Sequence, residues 1–202
     1  MTREEKQQIK AKKKEYEELL KRVAKKHDVK HKSFMLFFTH KNYFVSVYHR
    51  FSIPRNTISY SIGLKYMDYD DIQWDILDMS ENKNQPLSLR ATGAFSAFEY
   101  GLGDEKIISL GENPEAVLNN ILSEIKQMVE NFNEDLDKTI VADLEKKPCS
   151  TLEFIVYIHQ KQYAKARKLA EDCIANGDTG QFGNNGKDFF ELALEYLDKN
   201  NL

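Results

Sequence analysis

Hydrophobic positions are densest in residues 33–66, which carry the densest run of strand-forming residues in the chain. Ile58, Tyr60, Ile62 and Leu64 alternate with Thr57, Ser59, Ser61 and Gly63, which puts one apolar face on a core and a small, hydroxyl-rich face opposite. Residues 34–38 are apolar on both faces, as a strand covered on both sides is. His40-Lys41-Asn42-Tyr43 suits a tight reversal, with Asn42 able to take a positive φ. The pattern predicts three consecutive antiparallel strands, the second over residues 43–51, with Pro54 and Asn56 breaking the chain before the third. Leu87, Leu89 and Ala91 alternate with Ser88, Arg90 and Thr92 and predict a fourth strand; residues 106–110 predict a weaker fifth.

Outside this region the period changes to that of a helix. Over residues 3–27 the apolar positions Ile9, Tyr16, Leu19, Leu20, Val23 and Ala24 fall at helical intervals between Lys and Glu. Asn113-Pro114-Glu115 is a helix start, with a capping side chain, a proline at the first position and an acid on the dipole. Val117, Ile121, Ile125, Met128, Val129 and Phe132 then form one stripe. A short helix over 136–144 ends before Pro148. Ser150-Thr151-Leu152-Glu153 has the form of a capping box ahead of an all-apolar turn. A helix over 162–175 stops at Asn176-Gly177, and the last helix buries Phe189, Phe190, Leu192, Ala193, Tyr196 and Leu197. The predicted fold class is α+β: an antiparallel sheet of four to five strands with an N-terminal helix and a long helix packed on it, followed by a C-terminal helical unit. The expected division is residues 1–146 and 147–202.

Composition narrows the setting. The 202 residues are 41% hydrophobic and 30% charged, so a core sits beneath a highly charged surface. No run approaches the roughly 20 apolar residues that cross a bilayer, and the first fourteen residues lack the apolar core of a secretory signal. The expectation is a cytoplasmic protein without membrane contact. The two cysteines, Cys149 and Cys173, fit no metal or redox spacing. The net charge of −3 is unevenly spread, since residues 1–32 hold twelve Lys and Arg against six Asp and Glu. Glu15, Glu17 and Glu18 follow the Lys12-Lys13-Lys14 run and can pair within the helix, which favours a solvated face over nucleic-acid binding.

Candidate chemistry lies in four places. Asp68, Asp70, Asp71, Asp75 and Asp78 surround the only tryptophan, Trp74, and form an acidic docking surface in which Trp74 is the anchor. Their spacing does not match a calcium loop, so no metal and no cofactor is expected there. His49 and Arg50 at the end of the second strand, with Tyr60, form a candidate pocket on the sheet. His27 and His31 stand four apart but straddle a helix end, and no glutamate completes a zinc-protease motif. The loop GDTGQFGNNG is no phosphate loop, because five residues rather than four separate Gly180 from Gly186 and Asp188 stands where a Ser or Thr is needed. It reads as a helix-to-helix connector. No serine or cysteine has a nucleophile signature, so binding is favoured over catalysis.

The order of helix, strand meander, acidic interruption, strand and long helix, with ENPEAVLNNILSEIKQMVENF after the sheet, resembles uncharacterised bacterial α+β domain-of-unknown-function families over residues 10–145. Some of those are found near toxin and immunity loci. The resemblance implies a small protein acting by binding, of an immunity or regulatory kind, and carries no catalytic residue across. The leading expectation is a non-catalytic protein-binding module for a partner with a basic surface. A small-molecule-binding protein or enzyme using the sheet pocket, and nucleic-acid binding through the basic first helix, are the alternatives.

Overall fold

The computed structural model describes residues 1–146 and 148–202. The chain forms two compact units, one of Met1–Leu64 and Tyr100–Asn133, the other of Lys65–Glu99 and Glu134–Leu202. The first holds 17 basic and 12 acidic residues, a net +5; the second holds 12 and 20, a net −8.

The first unit opens with α1 (Arg3–Lys26), started by a reciprocal box in which the Thr2 hydroxyl accepts from the Glu5 amide and the Glu5 carboxylate accepts from the Thr2 amide. His27 caps its C-terminus, and Asp28 turns the chain out of the helix at φ 54°. Strands β1 (Lys30–Lys32), β2 (Met35–His40), β3 (Tyr43–Ser52) and β4 (Thr57–Tyr66) follow as an antiparallel meander. The β2–β3 reversal falls at the predicted place, but Lys41, at φ 54°, takes the left-handed conformation in place of Asn42. Beyond β4 the sheet is completed by β5 (Tyr100–Gly101) and β6 (Lys106–Ser109), both paired to β4.

The α+β class with an antiparallel sheet is as expected, the main sheet having six strands among the described residues, but the predicted strand over 87–92 is not one of them. Ser88–Thr92 is the short helix α3. Two-residue alternation over so few positions fits either state, and Arg90 settles it by turning inward onto carboxylates of another helix.

α4 (Pro114–Glu130) begins as predicted, with the Asn113 side chain accepting from the Ala116 amide at 3.1 Å. It buries Leu118, Ile121, Leu122, Ile125 and Val129 and packs on α1, which buries Tyr16, Leu20, Val23 and Ala24. Each fully buried aliphatic side chain here contributes roughly 1.5–3 kcal/mol of transfer free energy. Glu115 fastens the two helices at the surface, accepting from Lys26 at 2.7 Å and Arg22 at 3.2 Å. These lysine and arginine contacts hold the Glu115 carboxyl below its usual range.

The second unit contains α2 (Met67–Ile76), a 3-10 turn (Ser80–Asn84), α3, and then α5 (Leu136–Leu144), α6 (Ser150–His159), α7 (Tyr163–Ala175) and α8 (Phe189–Lys199). α6 is enclosed by α2, α5 and α7, as its apolar sequence requires. It starts without the expected capping box: Cys149 is the N-terminal flanking residue, while the Ser150 hydroxyl donates to Asp178 at 2.5 Å and Glu153 accepts from Tyr157 at 2.8 Å. The glycine-rich connector forms a small hairpin, β7 (Gly183–Asn184) with β8 (Lys187–Asp188), turned by Asn185 and Gly186 at positive φ. A capping box does occur at α8, between Asp188 and Glu191.

Candidate functional site

α2 has an unusual inward face. Tyr69, Asp70, Gln73, Trp74 and Ile76 are buried. Two of these, Asp70 and Gln73, are polar, and each is hydrogen-bonded inside the unit. Asp70 is fully buried and receives the Lys65 amine at 2.8 Å, the Ala97 amide at 2.7 Å and the Arg90 guanidinium at 3.3 Å. Lys65, also fully buried, donates further to the carbonyls of Arg90 and Ala97, both at 3.1 Å. Arg90 reaches Asp71 at 2.7 Å and lies over the Trp74 ring at 4.8 Å. The Trp74 indole donates to the Phe95 carbonyl at 2.8 Å, and the residue is 1% exposed. These charges neutralise one another inside the unit, which is a structural role.

The expected docking surface is therefore corrected at three positions. Trp74 is a core side chain and cannot anchor a partner; Asp70 is sealed off; Asp71 is held by Arg90. Asp68 remains outside, its side chain 71% exposed and 3.8 Å from His159. Asp75 and Asp78 come together in a groove of about 590 Å³ between the end of α2 and α8. Ile76, Leu192 and Tyr196 supply its apolar lining, and Glu195, Lys187 and Lys199 its remaining charges. Asp75 accepts from the Ser80 hydroxyl at 2.7 Å and pairs with Lys83 at 2.5 Å. Lys187 pairs with Glu195. Asp78, held at φ 55°, is exposed, and its carboxylate has no partner among the described residues. Burial and the Asp75 charge both push the Tyr196 hydroxyl up. The Asn184 side chain fixes the groove wall by donating to the Leu77 carbonyl at 2.7 Å. Glu195, Tyr196 and Lys199 were missed in the sequence because they read as the polar edge and core stripe of an ordinary helix.

The expected sheet pocket does not assemble. His49 and Arg50 are neighbours on β3 and project to opposite faces, His49 buried and Arg50 exposed. Tyr60 is 2% exposed on β4 and its hydroxyl has no hydrogen-bond partner among the described residues.

His49 meets other groups. Its Nε2 lies 3.1 Å from Glu17 Oε2, and His31 Nε2 approaches the same oxygen at 3.7 Å. The strand register explains the meeting: His31 pairs with Leu36 and Leu36 with Val47, so these share a face with His49 two residues beyond. α1 lays Glu17 over that face. Burial raises the Glu17 carboxyl, but the His49 hydrogen bond and the nearby His31 imidazole outweigh it and hold the group down at about 2. His27, four before His31 in sequence, faces elsewhere and contacts Asn119 at 3.0 Å.

A third cluster joins α2, α5 and α6. Tyr69 donates to Asp137 Oδ1 at 2.5 Å, and His159 Nδ1 contacts Asp137 Oδ2 at 2.8 Å. Tyr66 stacks on the imidazole at 4.8 Å. The carboxylate–imidazole pair has the form of a general base, but no Ser, Thr or Cys hydrogen-bonds to it among the described residues. It acts as a staple between three helices.

Comparison of the chain with protein-family models, curated proteins and solved structures returns no match. Of the described helices, none is long and apolar enough to cross a membrane.

Proposed function

We propose that this protein is a non-catalytic binding module, of an immunity or regulatory kind, that takes a basic segment of a partner protein into the groove between α2 and α8. The observation that carries the reading is the Asp78 carboxylate, exposed and unpartnered at the rim of a groove with an apolar lining from Ile76, Leu192 and Tyr196. The charge of its unit, −8, favours a basic partner and speeds encounter with it. The reading keeps Asp75 and Asp78 from the acidic segment and replaces Trp74 with Tyr196 as the aromatic contact. The alternatives have less support. His49, Arg50 and Tyr60 do not converge, and on α1 Lys12 is paired with Glu15 while Arg22 and Lys26 are paired with Glu115, which leaves fewer cations for phosphates.

The test is to purify the basic proteins encoded beside this chain and measure their binding by biolayer interferometry. The expected result is one binder whose association slows with salt and whose affinity falls at least tenfold, about 1.4 kcal/mol, with Asp78→Lys and Glu195→Lys together. A binder indifferent to that double reversal, or the lack of any binder, overturns the reading.

A further inference from the structure

The first unit brings three metal-ligating side chains together. Glu17, His31 and His49 come from α1, β1 and β3, and one donor atom from each lies within 4.8 Å of the other two. His31 Nε2 is buried and has no hydrogen-bond partner among the described residues. At 3.7 Å it is too far from Glu17 Oε2 to form a hydrogen bond, yet it is aimed at the same oxygen that His49 Nε2 contacts at 3.1 Å. Two imidazole nitrogens converge on one carboxylate oxygen, and a cation among the three donor atoms would take a lone pair from each.

We propose that Glu17, His31 and His49 bind a divalent transition-metal ion of the zinc class. The donor set selects the ion. Two imidazoles and one carboxylate suit zinc, cobalt or nickel, whereas calcium and magnesium require mostly oxygen ligands. The spacing fits as well. Bonds of about 2.0–2.1 Å in tetrahedral geometry set donor atoms roughly 3.3 Å apart. Both edges that meet at Glu17 Oε2, 3.1 and 3.7 Å, bracket that value, and only the edge between the two histidines has to close.

Three protein ligands leave one position to water. The glutamate offsets one of the two metal charges, and both imidazoles bind as neutral donors, so the step is ligand exchange with no redox partner. His49 Nδ1 is buried without a hydrogen-bond partner among the described residues, so none of them supplies the outer hydrogen bond that most metal-bound histidines make. Affinity is expected to fall about 10–100-fold short of sites that have one. The ion would join the first helix to β1 and β3.

The experiment uses the full chain after chelator treatment. Zinc chloride is titrated by calorimetry and cobalt chloride by visible absorption. The expected result is one ion per chain, a cobalt spectrum of tetrahedral or five-coordinate intensity, and a higher Tm with zinc. His31→Ala and Glu17→Gln should each weaken zinc more than tenfold and reduce the cobalt bands, while His27→Ala and His40→Ala leave both unchanged. His31 is partly exposed, so its variant keeps the fold and decides the matter where His49→Ala does not fold. Absence of binding to the folded chain overturns the proposal, as does stoichiometric binding that survives both His31→Ala and Glu17→Gln.

Discussion

The amine of Lys65 and the carboxylate of Asp70 lie 2.8 Å apart, and neither side chain is exposed. Four residues separate them, the last of β4 and the first turn of α2, so the strand-to-helix corner is pinned by a charge pair inside the protein. Removing one partner strands the other. Asp70→Asn and Lys65→Met are each expected to cost about 3–5 kcal/mol, measured by urea unfolding. The double variant Lys65→Met/Asp70→Leu should cost clearly less than the two single changes added together. Single changes costing under 1 kcal/mol would show that water reaches the pair.

Trp74 reports on the same region. Because it is the only tryptophan and is buried, the native emission should be blue-shifted and resistant to iodide quenching. Trp74→Ala should destabilise the chain by about 3–5 kcal/mol, and Trp74→Phe by less. Partner affinity should be unchanged in Trp74→Phe. A red, quenchable emission would return Trp74 to the surface.

His159 gives the chain a pH-dependent stability. Its hydrogen bond with Asp137 raises its pKa, partial burial lowers it, and the Asp137, Asp68 and Asp135 charges raise it further, with Tyr66 and Tyr69 as its other neighbours. The net direction is upward from 6.5. A group raised on folding stabilises fully below its unfolded pKa, about 6.5, and loses that contribution as pH climbs through the folded value. The Tm difference between the parent chain and His159→Gln should therefore shrink as pH rises from about 6.5 through the raised folded value. A constant difference would count against the His159–Asp137 contact.

Gly180 and Gly186 separate crowding from backbone strain. Both have positive φ, 68° and 78°. A Cβ on Gly180 would meet Phe189 Cβ at 2.8 Å and Thr151 Oγ1 at 3.0 Å, whereas one on Gly186 meets nothing within 4 Å. Gly186→Ala should cost the strain alone, about 1–2 kcal/mol, and Gly180→Ala distinctly more by thermal unfolding. Equal costs would mean that the Phe189 side of the loop is loosely packed.

The regular parts of the fold were readable because local pattern and tertiary role agree in them. Ile58, Tyr60, Ile62 and Leu64 alternate and are buried, and Asn113 caps the helix its sequence announces. Reading failed where polar side chains point inward. Asp70 and Gln73 occupy core positions of α2, so an acidic stretch that looks solvated is half interior, and nothing local names Lys65, Arg90 or the Phe95 carbonyl as their partners. Ser150 was lost to Asp178, 28 residues away, in the same fashion. The Glu17, His31 and His49 meeting depends on strand register and on the placement of α1, neither of which has a residue signature.

The alternation of the two units along the chain bears on how the protein is made. A ribosome completes the first unit only when residue 133 has been added, after an intervening piece, residues 65–99, that belongs to the other unit. That piece carries Lys65, Asp70, Arg90 and Trp74 together, so its charges can find one another early, while the helices that finish their enclosure are synthesised last. During elongation the nascent chain must hold an ionised, half-built interior without its cover, and a chaperone that shields residues 65–99 would act on the stage most exposed to misassembly.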